Sequence, residues 1–219
     1  MYARLSALVC LLTVSTCVMR SESAGAGAGD VVVYFRTDSA SSPAVFSEMK
    51  QELGALMQPG GFRIEWRDLG NGNRDADASQ VAVVEFRGVC SALPDGAAAG
   101  TVKTLPPLAS TSVVEGHVLP FSSVDCASLN RFLGSSLGKE SDSRRNQMYG
   151  RAVARLVAHE IYHIVARTEE HAPAGIAKAR FTLSDLLSEH FEFEDIALRR
   201  LRHPSELVHD SPAEETSGR

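Results

Sequence analysis

Apolar positions along the chain fall into two periods. Val31-Val32-Val33-Tyr34-Phe35 is an unbroken β-rich run, which reads as a strand. After Ser42-Pro43, a pair suited to a helix cap and first turn, Phe46, Met49, Leu53, Leu56 and Met57 recur every three or four residues. That spacing predicts a helix that Pro59-Gly60-Gly61 ends. Phe62 to Trp66 alternates apolar and polar residues, as a half-buried strand does, with Trp66 in the core. Asn71-Gly72-Asn73 marks a turn before a third strand, Val81 to Phe86, and the small, Pro/Gly-rich stretch Leu93 to Gly100 reads as a loop. Ser112 to Leu119 is a further strand candidate. From Ser143 onward Met148, Val153, Leu156, Val157, Ile161 and Ile164 share one helical face. Leu186, Leu187, Phe191, Ile196 and Leu198 predict a last helix from about Ser184 to Arg202. No internal repeat is visible, and the mixture of strands and helices indicates the α+β class.

The ends of the chain differ from its middle. Met1-Tyr2-Ala3-Arg4 precedes an apolar stretch from Leu5 to Met19 and then Ala24-Gly25-Ala26-Gly27-Ala28-Gly29, the layout of a secretory signal peptide with a small-residue cleavage site. Residues 1–28 are therefore set apart from the fold, 29–203 are expected to form one domain, and 204–219 a disordered polar tail. A secreted or periplasmic protein is implied. Val14-Ser15-Thr16-Cys17 faintly resembles a lipobox, which leaves lipid anchoring at Cys17 as a lesser alternative. No later stretch is apolar for long enough to span a bilayer.

Charge removes further classes. Without Arg4, Arg20 and Glu22 the chain carries 20 basic against 26 acidic side chains, a balance that suggests neither nucleic-acid nor anionic-membrane partners. Cys10 and Cys17 lie in the leader, leaving Cys90 and Cys126 as an even pair in an exported protein. A disulfide is the natural reading, with two buried free thiols as its alternative. Arg144, Arg145, Arg151 and Arg155 read as a solvated helix face.

The chemistry is concentrated in His159-Glu160-Ile161-Tyr162-His163, with His171 close behind. Histidines at i and i+4 of a helix project from one face, so both imidazoles can reach one ion, and the glutamate beside the first lies near the ion's open side. Neutral imidazoles bind Zn²⁺ at ~2.0–2.1 Å, and three protein ligands leave a fourth position for water. Zinc brings the pKa of that water from 15.7 to roughly 7, and a carboxylate can then take its proton and deliver it to a leaving amine. Glu160 is the candidate base. Thr168-Glu169-Glu170-His171-Ala172-Pro173 reads as the helix exit, because Pro173 cannot continue a helix, and His171 is the expected third ligand. Glu189, Glu192 and Glu194 offer the alternative of an acidic third ligand from a later helix, as in gluzincins. The contrasting reading of the motif is a pair of satisfied core histidines. Tyr162 occupies a variable position that points away from the ligand face, so packing is expected of it.

The order of elements, the HExxH helix and the third histidine together resemble the zincin metallopeptidases, and the metzincin branch in particular. The resemblance implies a zincin-like domain: a twisted mixed sheet, an active-site helix and a further C-terminal helix. It also implies zinc held by His159, His163 and His171, and peptide hydrolysis with Glu160 as general base. Val113-Val114-Glu115-Gly116-His117 is then the candidate cleft-rim strand, which would align a peptide substrate by β-augmentation, with His117 either lining the cleft or exposed. The departures are specific. The third histidine comes two residues later than in metzincins, Ile164-Val165-Ala166 lacks their glycine, and Gly175-Ile176-Ala177-Lys178 has alanine where a methionine turn would place methionine. The chain also resembles an uncharacterised group of secreted bacterial proteins through His159 to Lys178, Leu119-Pro120-Phe121-Ser122-Ser123-Val124-Asp125-Cys126 and Arg87-Gly88-Val89-Cys90. Two other activities fit the same residues: a non-catalytic protein that keeps the metal site, and a zinc amidase acting on cell-wall peptides.

Overall fold

The computed structural model describes residues 29–38, 40–71, 79–92 and 107–204. The expected signal peptide with Cys10 and Cys17, the turn residues Gly72 and Asn73, the loop from Leu93 to Gly100 and the tail beyond Pro204 lie outside the described residues.

The first strand, β1 (Asp30–Arg36), leads into helix α1 (Pro43–Met57). Ser42 caps that helix by accepting from the Val45 amide at 3.4 Å, and a 3-10 turn over Gln58–Gly60 stops it where the Pro-Gly-Gly run stands. Then come β2 (Arg63–Asp68) and β3 (Gln80–Arg87), both parallel to β1. Parallel neighbours need a crossover, which α1 supplies between β1 and β2. Val31, Val33, Ala82, Val84 and Phe86 are buried in one cluster with Val45, Met49, Leu53 and Met57 of α1. Trp66, expected in the core, is half-buried: it packs against that cluster and meets Phe35 edge to face at 5.7 Å.

The predicted strand Ser112 to Leu119 is instead a hairpin, β4 (Ala109–Val114) and β5 (His117–Asp125). Glu115 and Gly116 both take positive φ, 51° and 75°, the backbone of a type I′ turn. Glu-Gly lacks the Asn-Gly or Asp-Gly signature of such turns, so the sequence reads straight through it. The sheet order is β2-β1-β3-β5-β4. β5 is parallel to β3, and β4, antiparallel, is the edge. Of the expected rim segment, Val113 and Val114 belong to that edge while His117 begins β5 and is exposed.

A helix that the sequence reading passed over, α2 (Cys126–Leu137), follows directly. Asp125 caps it by accepting from the Ser128 amide at 2.8 Å, and Leu129, Leu133 and Leu137 bury its inner face at intervals of four. Cys126 at its first turn is bonded to Cys90 beyond β3, with Cα atoms 5.0 Å apart.

The motif helix, α3 (Asp142–Ala166), starts directly after the Ser141 cap and runs 25 residues. It lies against α1 so closely that a Cβ at Gly150 would meet Glu48 Cβ at 2.6 Å and the Val45 carbonyl at 2.8 Å. The solvated-face reading of its arginines fails at Arg151 and Arg155. Arg155 is fully buried, donating to the Asp185 carbonyl at 2.6 Å and facing Glu52 at 3.4 Å, and Arg151 donates to the carbonyls of Leu187 and Ser188. Guanidinium groups with several fixed donors hold loop carbonyls in this way.

The single last helix of the sequence reading is two, α4 (Leu183–Leu187) and α5 (Asp195–Arg202). Between them Phe191 to Glu194 runs with period two, Phe193 buried and Glu192 and Glu194 exposed. Extended backbone there lets the Glu192 carbonyl accept from the Ile176 amide at 3.0 Å. Among the described residues no helix is long and apolar enough to cross a membrane.

Candidate metal centre

Two turns of α3 bring His159 and His163 onto the face beneath β4, both largely buried. The helix ends when Arg167 takes the left-handed conformation, φ 51° and ψ 43°, with its amide on the His163 carbonyl. An arginine therefore makes the reversal that glycine usually makes at a helix end. Beyond this reversal His171 joins the two helix histidines. Ring centroids lie 4.7 Å apart for His159 and His163, 5.3 Å for His159 and His171, and 4.8 Å for His163 and His171. One ring nitrogen from each falls within 4.8 Å of the others, so the three histidines could hold a metal ion.

The orientation of each imidazole is fixed from behind. His159 Nδ1 is 2.7 Å from the Ile176 carbonyl, and His163 Nδ1 is 2.7 Å from the Thr168 carbonyl. A carbonyl can only accept, so both Nδ1 atoms carry the hydrogen and both Nε2 atoms of the neutral rings present lone pairs. Those two Nε2 atoms face each other at 3.2 Å. Burial holds the His159 pKa down to about 4, with the neighbouring histidines adding to the effect, and burial likewise lowers that of His163. Two converging lone pairs without a proton between them are what a cation would satisfy, and neutral imidazoles suit borderline divalent ions.

His171 is exposed and owes its position to its neighbours. The Ala172 amide donates to the Ala177 carbonyl at 2.8 Å, closing a small loop over Pro173–Ile176. Gly175, at φ 69°, presses that loop against the 192–194 segment: a Cβ would stand 2.6 Å from the Glu192 carbonyl. On the other flank Glu170 pairs with Arg200 of α5 at 2.8 Å, and the same guanidinium donates to the Tyr162 hydroxyl at 3.1 Å. Tyr162 is fully buried, tilted against Phe193, in the packing role expected of it.

Glu160 lies one residue beyond the first ligand candidate and 4% exposed, yet it lines the cleft between β4 and the histidines. Burial pushes its carboxyl up to about 7, opposed by a hydrogen bond from Thr111 Oγ1 to Oε2 at 2.5 Å. The rest of the lining is Ala109, Ser110 and Val113 from β4, Val118 from β5, and Thr168, Glu169 and Ala179.

Other candidates fall elsewhere. Glu189 pairs with Arg144 at 3.6 Å, and Glu192 and Glu194 line a separate depression beside Lys178 and Asp185. None joins the histidine cluster. His117 turns its Nδ1 to the Glu115 carbonyl at 3.0 Å and does not line the cleft. The groups that sequence reasoning missed are Thr111, Arg200 and the carbonyls of Thr168 and Ile176. The carbonyls leave no trace in residue identity, while Thr111 sits in an alternating strand where any polar residue is expected.

No protein family matches this chain, and no curated protein is significantly similar to it. What defines the site is its own donor set: three imidazoles, two of them anchored through Nδ1, with a buried glutamate at the mouth of a cleft under a sheet edge.

Proposed function

We propose that this protein is a secreted or periplasmic zinc metallopeptidase of the zincin type. The observation that carries the reading is the placing of the Glu160 carboxylate in the cleft beside the His159, His163 and His171 cluster. The mixed sheet with its antiparallel edge strand above the HExxH helix supports the zincin part of it. Three neutral histidines and a carboxylate base are the donor set of catalytic zinc sites.

His159, His163 and His171 would hold the ion. A bound zinc supplies Lewis acidity, polarising a carbonyl oxygen and acidifying water. The protein's own groups do the rest. β4 offers an open backbone edge to an extended peptide, which would bring the scissile bond across the cleft with its carbonyl near the histidines. Glu160 takes a proton from the attacking water and passes it to the departing amine nitrogen. The carbonyls of Ile176 and Thr168 keep the imidazoles in the tautomer that presents Nε2 to the ion.

The test is metal analysis of the purified protein together with cleavage of a mixed peptide library by wild type and Glu160→Gln. Stoichiometric zinc in both proteins, with cleavage only by wild type, is the expected result. Zinc in both and cleavage by neither would make this a metal-binding protein without peptidase activity.

A further inference from the structure

We propose that Thr111 is the positioning residue of Glu160, committing one carboxylate oxygen so that the other alone handles the proton. The proposal rests on Glu160 being the base. Thr111 Oγ1 lies 2.5 Å from Glu160 Oε2 and 3.4 Å from the Glu160 backbone carbonyl. A hydroxyl has one hydrogen to give, and the shorter contact takes it. Among the described residues no other hydrogen bond reaches this carboxylate.

Strand geometry explains why this hydroxyl arrives where it does. Thr111 pairs with Ser122 and Val113 with Val118, so the ladder slips around Leu119-Pro120-Phe121. Pro120 cannot donate to a ladder, and a bulge at such a point re-aims nearby side chains. Thr111 is the last residue paired before that slip. Being β-branched it has few χ1 rotamers, so its hydroxyl is held where a serine's would swing.

The consequence is a division of labour between two oxygens. The hydrogen bond to Oε2 makes that oxygen the less basic of the two, so the water's proton lands on Oε1. The water O–H bond breaks and its oxygen bonds to the scissile carbonyl carbon while the C=O π pair moves onto the carbonyl oxygen, to return when the C–N bond breaks. The same proton then leaves Oε1 for the amine nitrogen as the C–N bond breaks, which returns Glu160 to its carboxylate form.

Thr111→Val keeps the shape and removes the donor. We expect kcat to fall about 10- to 100-fold with KM and zinc content unchanged, because misplaced catalytic groups lose rates of that order. Thr111→Ser should recover most of the loss. A second readout needs neither metal nor turnover: the infrared carboxylate band that disappears in Glu160→Gln should shift between wild type and Thr111→Val in metal-free protein. A valine variant with wild-type kcat would make Thr111 a packing residue and overturn the proposal, as would a serine variant that loses as much as valine or an unshifted band. If wild type cleaves no peptide, the peptidase reading fails, and the infrared comparison still decides whether Thr111 holds the carboxylate.

Discussion

His159 and His163 aim their Nε2 atoms at each other across 3.2 Å while each gives its Nδ1 hydrogen to a backbone carbonyl. In a metal-free core this is an unfavourable meeting of lone pairs, and it costs least when a cation fills the gap. The carbonyl partners, Ile176 and Thr168, come from the segment that also carries His171. Positioning of the third histidine and tautomer selection in the first two are therefore one structural event, the folding of residues 168–178 over the end of α3.

Loss of His171 should accordingly cost metal affinity without disturbing the other two ligands. Outer partners of a metal ligand are worth 10–100-fold in affinity, so His171→Ala should weaken zinc by more than about 100-fold. Glu189→Ala should leave it unchanged, since Glu189 is engaged with Arg144 away from the site. A metal titration with a chromophoric chelator measures both, and a reversed order would reassign the third ligand.

Periodicity made α1 legible, because its buried residues repeat every three or four positions, and an apolar stripe from Met148 to Ile164 made α3 legible although every residue from Ala152 to Ala166 is buried. The histidine cluster was legible for the same reason, since two of its members share a helix face. Shorter features were decided by tertiary contacts. The segment around Phe191 and Phe193 fits a helix in isolation, and the Glu192 carbonyl accepting from Ile176 holds it instead as a connection between two short helices. Arg155 looked like a surface charge until Asp185 and Glu52 enclosed it. α2 is short, with Gly134, Ser135 and Ser136 diluting its pattern.

The Cys90–Cys126 bond ties the end of β3 to the start of α2, and its surroundings extend that tie. The Cys90 carbonyl accepts from the Ser42 amide, and the Cys126 carbonyl accepts from the buried Tyr149 hydroxyl of α3 at 3.1 Å. With the cysteines 36 positions apart in sequence, removing the bond with a Cys90→Ser, Cys126→Ser pair should destabilise the fold by about 2–4 kcal/mol. Denaturant unfolding reads this directly, and an unchanged midpoint would contradict it.

Gly150 sets the approach of the motif helix to α1. Alanine there meets Glu48 Cβ and the Val45 carbonyl well inside contact distance, and two packed helices cannot both give way without loss elsewhere. Gly150→Ala should therefore lower stability by about 1–3 kcal/mol, despite alanine's higher helix propensity. A thermal melt above that of wild type would show that the helices separate freely.

Acid stability of the metal-free protein should expose the opposed titrations of His159 and Glu160. The His159 pKa is lowered by burial from 6.5 to about 4. Between those values the unfolded chain binds a proton that the folded chain refuses, so His159 destabilises the fold as pH falls through that window, by up to about 1.4 kcal/mol per unit. Glu160 is raised by burial from 4.5 to about 7. Between those values the folded chain holds the extra proton, so Glu160 destabilises the fold as pH rises. From pH 4.5 to 6.5 the two slopes offset each other in wild type. Glu160→Gln removes one of them. In chelator, melting temperatures should show this variant gaining over wild type above pH 7 and the advantage shrinking steadily to pH 4.5. Parallel curves would mean that Glu160 carries no buried charge.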